Sequence, residues 1–128
     1  MAKYLLDTTA LIDYLSGHQA VVDLIRGLVR EGHSLGICCI NIAELYSGLE
    51  EEKRRQADRL IDSLAYYEVT PEVAKLAGGY RFFFAHKGIA LSTADTIVAA
   101  TAVTQEAILI TANKRDYPMP EIRLLEQP

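Results

Sequence analysis

Lys3-Tyr4-Leu5-Leu6-Asp7-Thr8-Thr9-Ala10-Leu11-Ile12 opens the chain with an apolar run that stops on a carboxylate and passes into a helical pattern. A short apolar run of this kind reads as a buried strand, and Asp7 then marks its carboxyl end. Four more runs repeat the theme: Ser34 to Cys38, Tyr66 to Val69, Ala107 to Thr111 and Ile122 to Leu125. Helical signatures fill the intervals. Strands separated by helices call for parallel pairing, because parallel neighbours need crossover connections and those crossovers cover both sheet faces. The expected fold class is α/β, three layers around a central, mainly parallel sheet of roughly five strands.

The clearest helix starts at Thr70, with Thr70 as N-cap, Pro71 in the first position, Val73, Leu76, Ala77, Tyr80 and Phe84 on one face, and Gly88 at its end. From Glu51 onward, Ala57, Leu60, Ile61 and Leu64 form a stripe, with Glu51 and Arg55 spaced as an i,i+4 pair on a solvated face. The helix after His18 carries Val21, Val22, Leu24, Ile25, Leu28 and Val29 on more than one side. That surplus suggests either a partner surface or burial on two sides. Phe82, Phe83 and Phe84 read as core and flank, since aromatics at helical spacing usually pack. The three histidines lack paired spacing and receive no role.

With 128 residues, half of them apolar and 23% charged, the chain has the size and balance of one globular domain, expected over residues 1–128. The net charge of −4 lacks the basic footprint of a protein that binds nucleic acid by phosphate neutralisation alone. Any such role must rest on a local site with bound cations. Cys38 and Cys39 are adjacent and cannot pair without strain, so they read as buried thiols in a reducing, cytoplasmic setting. Asp7 and Asp13 interrupt any signal-peptide core, and no window approaches the roughly 18 apolar residues of a membrane span.

The acids fall where an α/β sheet builds its sites, past strand ends and at helix starts. Asp7 follows the first strand, Glu44 opens a short helix after the Cys38 strand, Asp95 opens the helix near Ser92, and Asn113 and Asp116 follow the strand ending at Thr111. Taken singly, each has a competing reading as a cap: Asn41 to Glu44 and Ser92 to Asp95 match capping-box spacing, and Asp7 suits an N-cap. Taken together, carboxylates meeting at one sheet edge would repel one another unless a hard divalent cation compensates. No His or Cys lies near these motifs, which disfavours zinc and favours Mg²⁺ or Mn²⁺.

Leu5-Leu6-Asp7-Thr8-Thr9-Ala10-Leu11-Ile12 resembles the opening motif of PIN domains, Asn41 to Leu45 their second acidic motif, and Ala94-Asp95-Thr96-Ile97-Val98-Ala99-Ala100 their third. Thr111 to Tyr117 resembles the closing motif. Length and motif variants are most similar to VapC-type toxins of type II toxin–antitoxin pairs. The resemblance implies an endoribonuclease with Asp7, Glu44, Asp95 and Asp116 as catalytic and metal-binding residues, inhibited by a VapB-type antitoxin and paired as a homodimer. Thr8, Thr9, Thr111 and Asn113 are the expected supporting residues. The family's fourth acidic position holds Asn113 here, with Asp116 three residues later, and either can complete the site. Thr9 stands where the family often has Asn or Ser, and its hydroxyl is expected to support Asp7.

The chemistry implied is metal-assisted phosphodiester hydrolysis with RNA as substrate and 5′-phosphate and 3′-hydroxyl products. Lys114 and Arg115 flank the closing motif as candidate phosphate contacts, against a default reading as loop surface charge. A haloacid-dehalogenase-type phosphotransferase needs a second acid two residues after Asp7, where this chain has Thr9. The remaining alternative is a non-catalytic PIN-like module that binds a partner protein.

Overall fold

The computed structural model describes all 128 residues. Its strands are β1 (Lys3–Leu6), β2 (Ser34–Ile37), β3 (Ala65–Tyr66), β4 (Ile108–Thr111) and β5 (Arg123–Glu126). All pairs are parallel, in the order β3-β2-β1-β4-β5. The helices are α1 (Thr8–Leu15), α2 (Gln19–Arg30), α3 (Cys39–Ser47), α4 (Arg54–Ser63), α5 (Pro71–Ala85) and α6 (Thr93–Gln105). Short 3₁₀ turns occupy Glu51–Lys53 and Lys114–Asp116.

The two-residue period of the strands divides the core. Leu5 and Leu109, paired across β1 and β4, enter one cluster with Val73, Ala77, Tyr80 and Phe84 of α5 and Val98 to Ala100 of α6. Leu6 and Ile110 point the other way, into a cluster with Ala10 and Leu11 of α1, Val21, Ile25 and Leu28 of α2, Leu45 of α3 and Ala57 of α4. Parallel strands covered on both faces must be apolar on both sides, which is why these runs show no polar alternation.

The third strand is shorter than its sequence run. Ala65 and Tyr66 pair with β2, whereas Tyr67 turns its ring inward over Gly36 and Val69 packs against the α5–α6 core. A Cβ on Gly36 would lie 2.4 Å from that ring, so only glycine fits beneath it. Thr70 caps α5 as expected, accepting the Val73 N–H at 3.2 Å.

Other expectations change: Cys38 is buried, but Cys39, expected to be buried with it, is exposed at the first position of α3. The apolar surplus on α2 is mostly consumed within the fold, since Val21, Val22, Ile25 and Leu28 are buried and only Val29 stands 57% exposed. Glu51 and Arg55 form no ion pair because Glu51 sits in the 3₁₀ turn ahead of α4; the ion pair present is Lys114 with Glu126 at 3.9 Å. Of the three phenylalanines only Phe84 is core, while Phe82 leans on His86 and Phe83 lies under the Lys87 ammonium. No helix is long and apolar enough to cross a membrane.

Candidate metal centre

The chain runs outward from β1 in opposite directions, through β2 and β3 on one side and β4 and β5 on the other. The direction reverses between β1 and β4, and an open α/β sheet forms its ligand crevice at the carboxyl ends of strands flanking such a reversal. Asp7 follows β1 there, its N–H tied to the Ile110 carbonyl at 3.0 Å, and Thr111 ends β4 beside it.

Asp7 is 7% exposed and its carboxylate is held from three sides. Oδ1 accepts the Thr8 N–H at 2.9 Å, the N-cap contact of α1. Oδ2 accepts the Thr111 hydroxyl at 2.7 Å and the Tyr117 hydroxyl at 3.0 Å, both from residues more than 100 positions away. Asp7 is thus a cap and a member of a long-range polar cluster at once. Tyr117 carried no expected role, because an aromatic residue in a sequence suggests packing; its phenol oxygen lies between Asp7 and Asp95, 3.5 Å from Asp95 Oδ1. Burial first, and then the charges of Asp7 and Asp95, push its hydroxyl far above the ordinary tyrosine range, so it is a hydrogen-bond donor at all ordinary pH values.

Glu44 does not open α3. The helix begins two residues past the β2 end, at Cys39, with Cys38 as N-cap and its N–H donated to Asn41 Oδ1 at 3.0 Å. Glu44 therefore lies in the second turn, exposed, where Oε1 accepts the Thr8 hydroxyl at 2.6 Å. Buried Asn41 reaches the same hydroxyl with Nδ2 at 3.5 Å, which links the α3 cap to the acidic site through Thr8.

Asp95 is the third residue of α6, and its backbone N–H donates to Ser92 Oγ at 3.0 Å. Only the serine half of the capping box forms, which leaves the Asp95 carboxylate facing the cluster. Arg81 braces this entry by donating to the Leu91 carbonyl and to the Thr93 hydroxyl. Burial raises the Asp95 pKa most, Ser92 opposes it, and the charges of Asp116, Asp7 and Glu44 each add to the rise. Three acids from three other segments therefore act on Asp95.

Asp116 ends the 3₁₀ turn after β4, half-buried, and its charge reaches Asp95 and Tyr117. Asn113 is exposed and its backbone N–H donates to Thr111 Oγ1 at 3.0 Å. Thr9, expected beside Asp7, turns its hydroxyl to Gln127 Oε1 at 3.0 Å, and Gln127 also donates to Asp13. That clasp between α1 and the residue after β5 was not foreseen, since Gln127 sits outside every motif. Lys114 and Arg115 are exposed beside Asn113, with Lys114 partly engaged by Glu126.

The donors suit a hard cation of one kind. All are carboxylate oxygens, and their mutual repulsion shows in Asp95. No three acidic, histidine or cysteine side chains close around a point tightly enough to enclose an ion alone. Such a set fits an ion that keeps much of its water and takes one or two carboxylates, as Mg²⁺ does, rather than one that demands a full protein cage.

The chain is similar to known proteins in sequence and in fold. The PIN domain profile matches residues 4–121. Ribonuclease VapC19 of Mycobacterium tuberculosis is 30% identical over 117 residues, which cover 90% of this chain and 92% of that protein. Ribonuclease VapC10 of the same organism is 34% identical over 117 residues, 90% of this chain and 86% of that one. Among solved structures, VapBC2 from Rickettsia felis bound to a promoter DNA fragment superposes with a TM-score of 0.87 at 20% identity, covering 98% of this chain and 99% of the other. That likeness shows the shared fold.

Proposed function

The chain belongs to the PIN-domain family and is related to the VapC ribonucleases within it, and on that premise we propose that Asp7, Glu44, Asp95 and Asp116 bind Mg²⁺ or Mn²⁺ and that the protein hydrolyses RNA as the toxin of a toxin–antitoxin pair. The observation that carries this reading is that one hydroxyl, that of Tyr117, stands 3.0 Å from Asp7 Oδ2 and 3.5 Å from Asp95 Oδ1. It brings these two carboxylates to one crevice, where the charges of Asp116 and Glu44 also reach Asp95. A scaffold has no use for uncompensated repulsion in a half-buried site, whereas a cation site requires it.

Bound there, a divalent ion would neutralise the scissile phosphate and make water a competent nucleophile near neutral pH. The chain's own residues do the rest. Thr111, Tyr117 and the Thr8 N–H fix the Asp7 carboxylate, and the Thr8 hydroxyl holds Glu44 toward the same crevice. Asp116 rather than Asn113 supplies the fourth charge, since its field reaches Asp95. Exposed Lys114 and Arg115 lie beside this edge and are proposed to hold a neighbouring phosphate of the strand, countering the net charge of −4.

A cognate antitoxin is proposed as partner, since another protein of the same fold was solved as a toxin–antitoxin complex from Klebsiella pneumoniae. The cleft of about 740 Å³ between α2 and α4, lined by Ile25, Val29, Leu60 and Leu64 with Arg26 and Arg30 at its edge, suits an amphipathic helix bearing acidic residues. A homodimer and a cytoplasmic setting complete the proposal, the latter in keeping with free Cys38 and Cys39.

The test is to incubate the purified protein with RNA, with and without Mg²⁺ or Mn²⁺, and to map the ends. Metal-dependent cuts leaving 5′-phosphates are expected, with Asp7→Asn and Asp95→Asn each inactive. Cleavage that survives EDTA, or variants as active as the parent, would remove the metal-site assignment. Absence of any cleavage would leave a protein-binding module.

A further inference from the structure

An aspartate carboxylate has about four lone-pair positions, two on each oxygen. In Asp7 three of them are filled from within the protein. Thr8 N–H takes one on Oδ1, while the Thr111 and Tyr117 hydroxyls take both on Oδ2. Thr111 is fully buried and Tyr117 is 3% exposed, so water does not compete for these contacts. One position on Oδ1 remains open.

The identity of an ion is sensitive to this. Ca²⁺ takes six to eight oxygens and uses carboxylates with one or both oxygens, whereas Mg²⁺ demands a compact octahedron, keeps its waters and uses single carboxylate oxygens. Resting on the metal-site reading above, we infer that the Tyr117 hydroxyl is a specificity-determining residue that closes Oδ2 of Asp7, confines the aspartate to one-oxygen contact and so favours Mg²⁺ over Ca²⁺. The same phenol oxygen stands 3.5 Å from Asp95 Oδ1. Wedged between the two carboxylates, the buried ring resists the rearrangement that a larger, higher-coordinate ion would need.

The experiment is calorimetric titration of the full chain with Mg²⁺ and, separately, with Ca²⁺, for wild type, Tyr117→Phe and Thr111→Val, with thermal unfolding as a folding check. Phenylalanine keeps the ring and deletes one donor to Oδ2, and Thr111→Val deletes the other. In each variant the ratio of Ca²⁺ to Mg²⁺ affinity should move toward Ca²⁺ by about tenfold, the scale on which partners of metal ligands act. Should Tyr117→Phe fail to fold, Thr111→Val still tests the closure of Oδ2 on which the inference rests, and an unchanged ratio there overturns it. A merely structural tyrosine would lower both affinities by one factor, and an unchanged ratio overturns the inference while leaving the metal site standing. A wild type that takes up neither ion overturns the metal-site reading and this inference with it.

Discussion

Asp95 feels the acidic cluster most openly, and its linkage to stability has a definite sign. Its pKa in the folded protein is raised above the ordinary 3.8 by burial and by Asp116, Asp7 and Glu44. The folded state therefore binds its proton more readily than the unfolded chain does, and stability falls as pH rises from the unfolded value through the folded one. Asp95→Asn removes that loss and keeps the cap, because Ser92 accepts a backbone N–H that asparagine also has. In EDTA the variant should unfold at a higher temperature than wild type at neutral pH, with the gap closing as pH approaches 3.8; a gap independent of pH would contradict the electrostatic account. The carboxylates could be picked out in the sequence because each falls just past a strand or near the start of a helix, where an α/β sheet builds its sites. Tyr117 and Gln127 could not, since their function depends on which distant atoms the fold brings to their polar tips. Thr9 shows the same limit: its residue type allows a bond to Asp7, but helix phase turns it to Gln127.

Among the elements, strands and long helices were legible because burial on both sheet faces and a 3.6-residue stripe leave periodic traces. Their ends were less so. Two overlapping capping patterns compete after β2, Cys38 to Asn41 and Asn41 to Glu44, and the structure uses the first because buried Asn41 satisfies the Cys38 N–H at the end of the strand. Asn41→Ala should cost about 1–3 kcal/mol in chemical denaturation, the range for orphaning a buried donor. It should also loosen Glu44, since Asn41 reaches the Thr8 hydroxyl that holds it. A loss no larger than that of an ordinary surface substitution would show that the cap is dispensable. At β3 the apolar run through Val69 promised a longer strand, but Tyr67 leaves the edge to cover Gly36. Gly36→Ala should therefore destabilise by about 1–3 kcal/mol through overpacking, read in the same experiment. A neutral result would mean that the ring moves aside freely.

At the scale of the molecule, one topological fact gathers the acids: strand order reverses at β1 and β4, so the ends of both open onto the same crevice. The fold concentrates negative charge in a protein already at −4, and without a cation that concentration opposes folding. Wild type and an Asp7→Asn/Asp95→Asn double variant should consequently respond to Mg²⁺ in opposite order. Without metal the double variant, relieved of repulsion, should be the more stable. As Mg²⁺ is added, wild type should gain stability logarithmically, reaching about 2.7 kcal/mol at a hundredfold excess over its dissociation constant, because an ion that binds only the folded state draws the equilibrium toward it. The double variant should barely respond, and matched NaCl controls for general screening. The two melting curves plotted against Mg²⁺ concentration should therefore cross. Parallel curves would mean that Mg²⁺ acts on surface charge alone and that the crevice holds no ion.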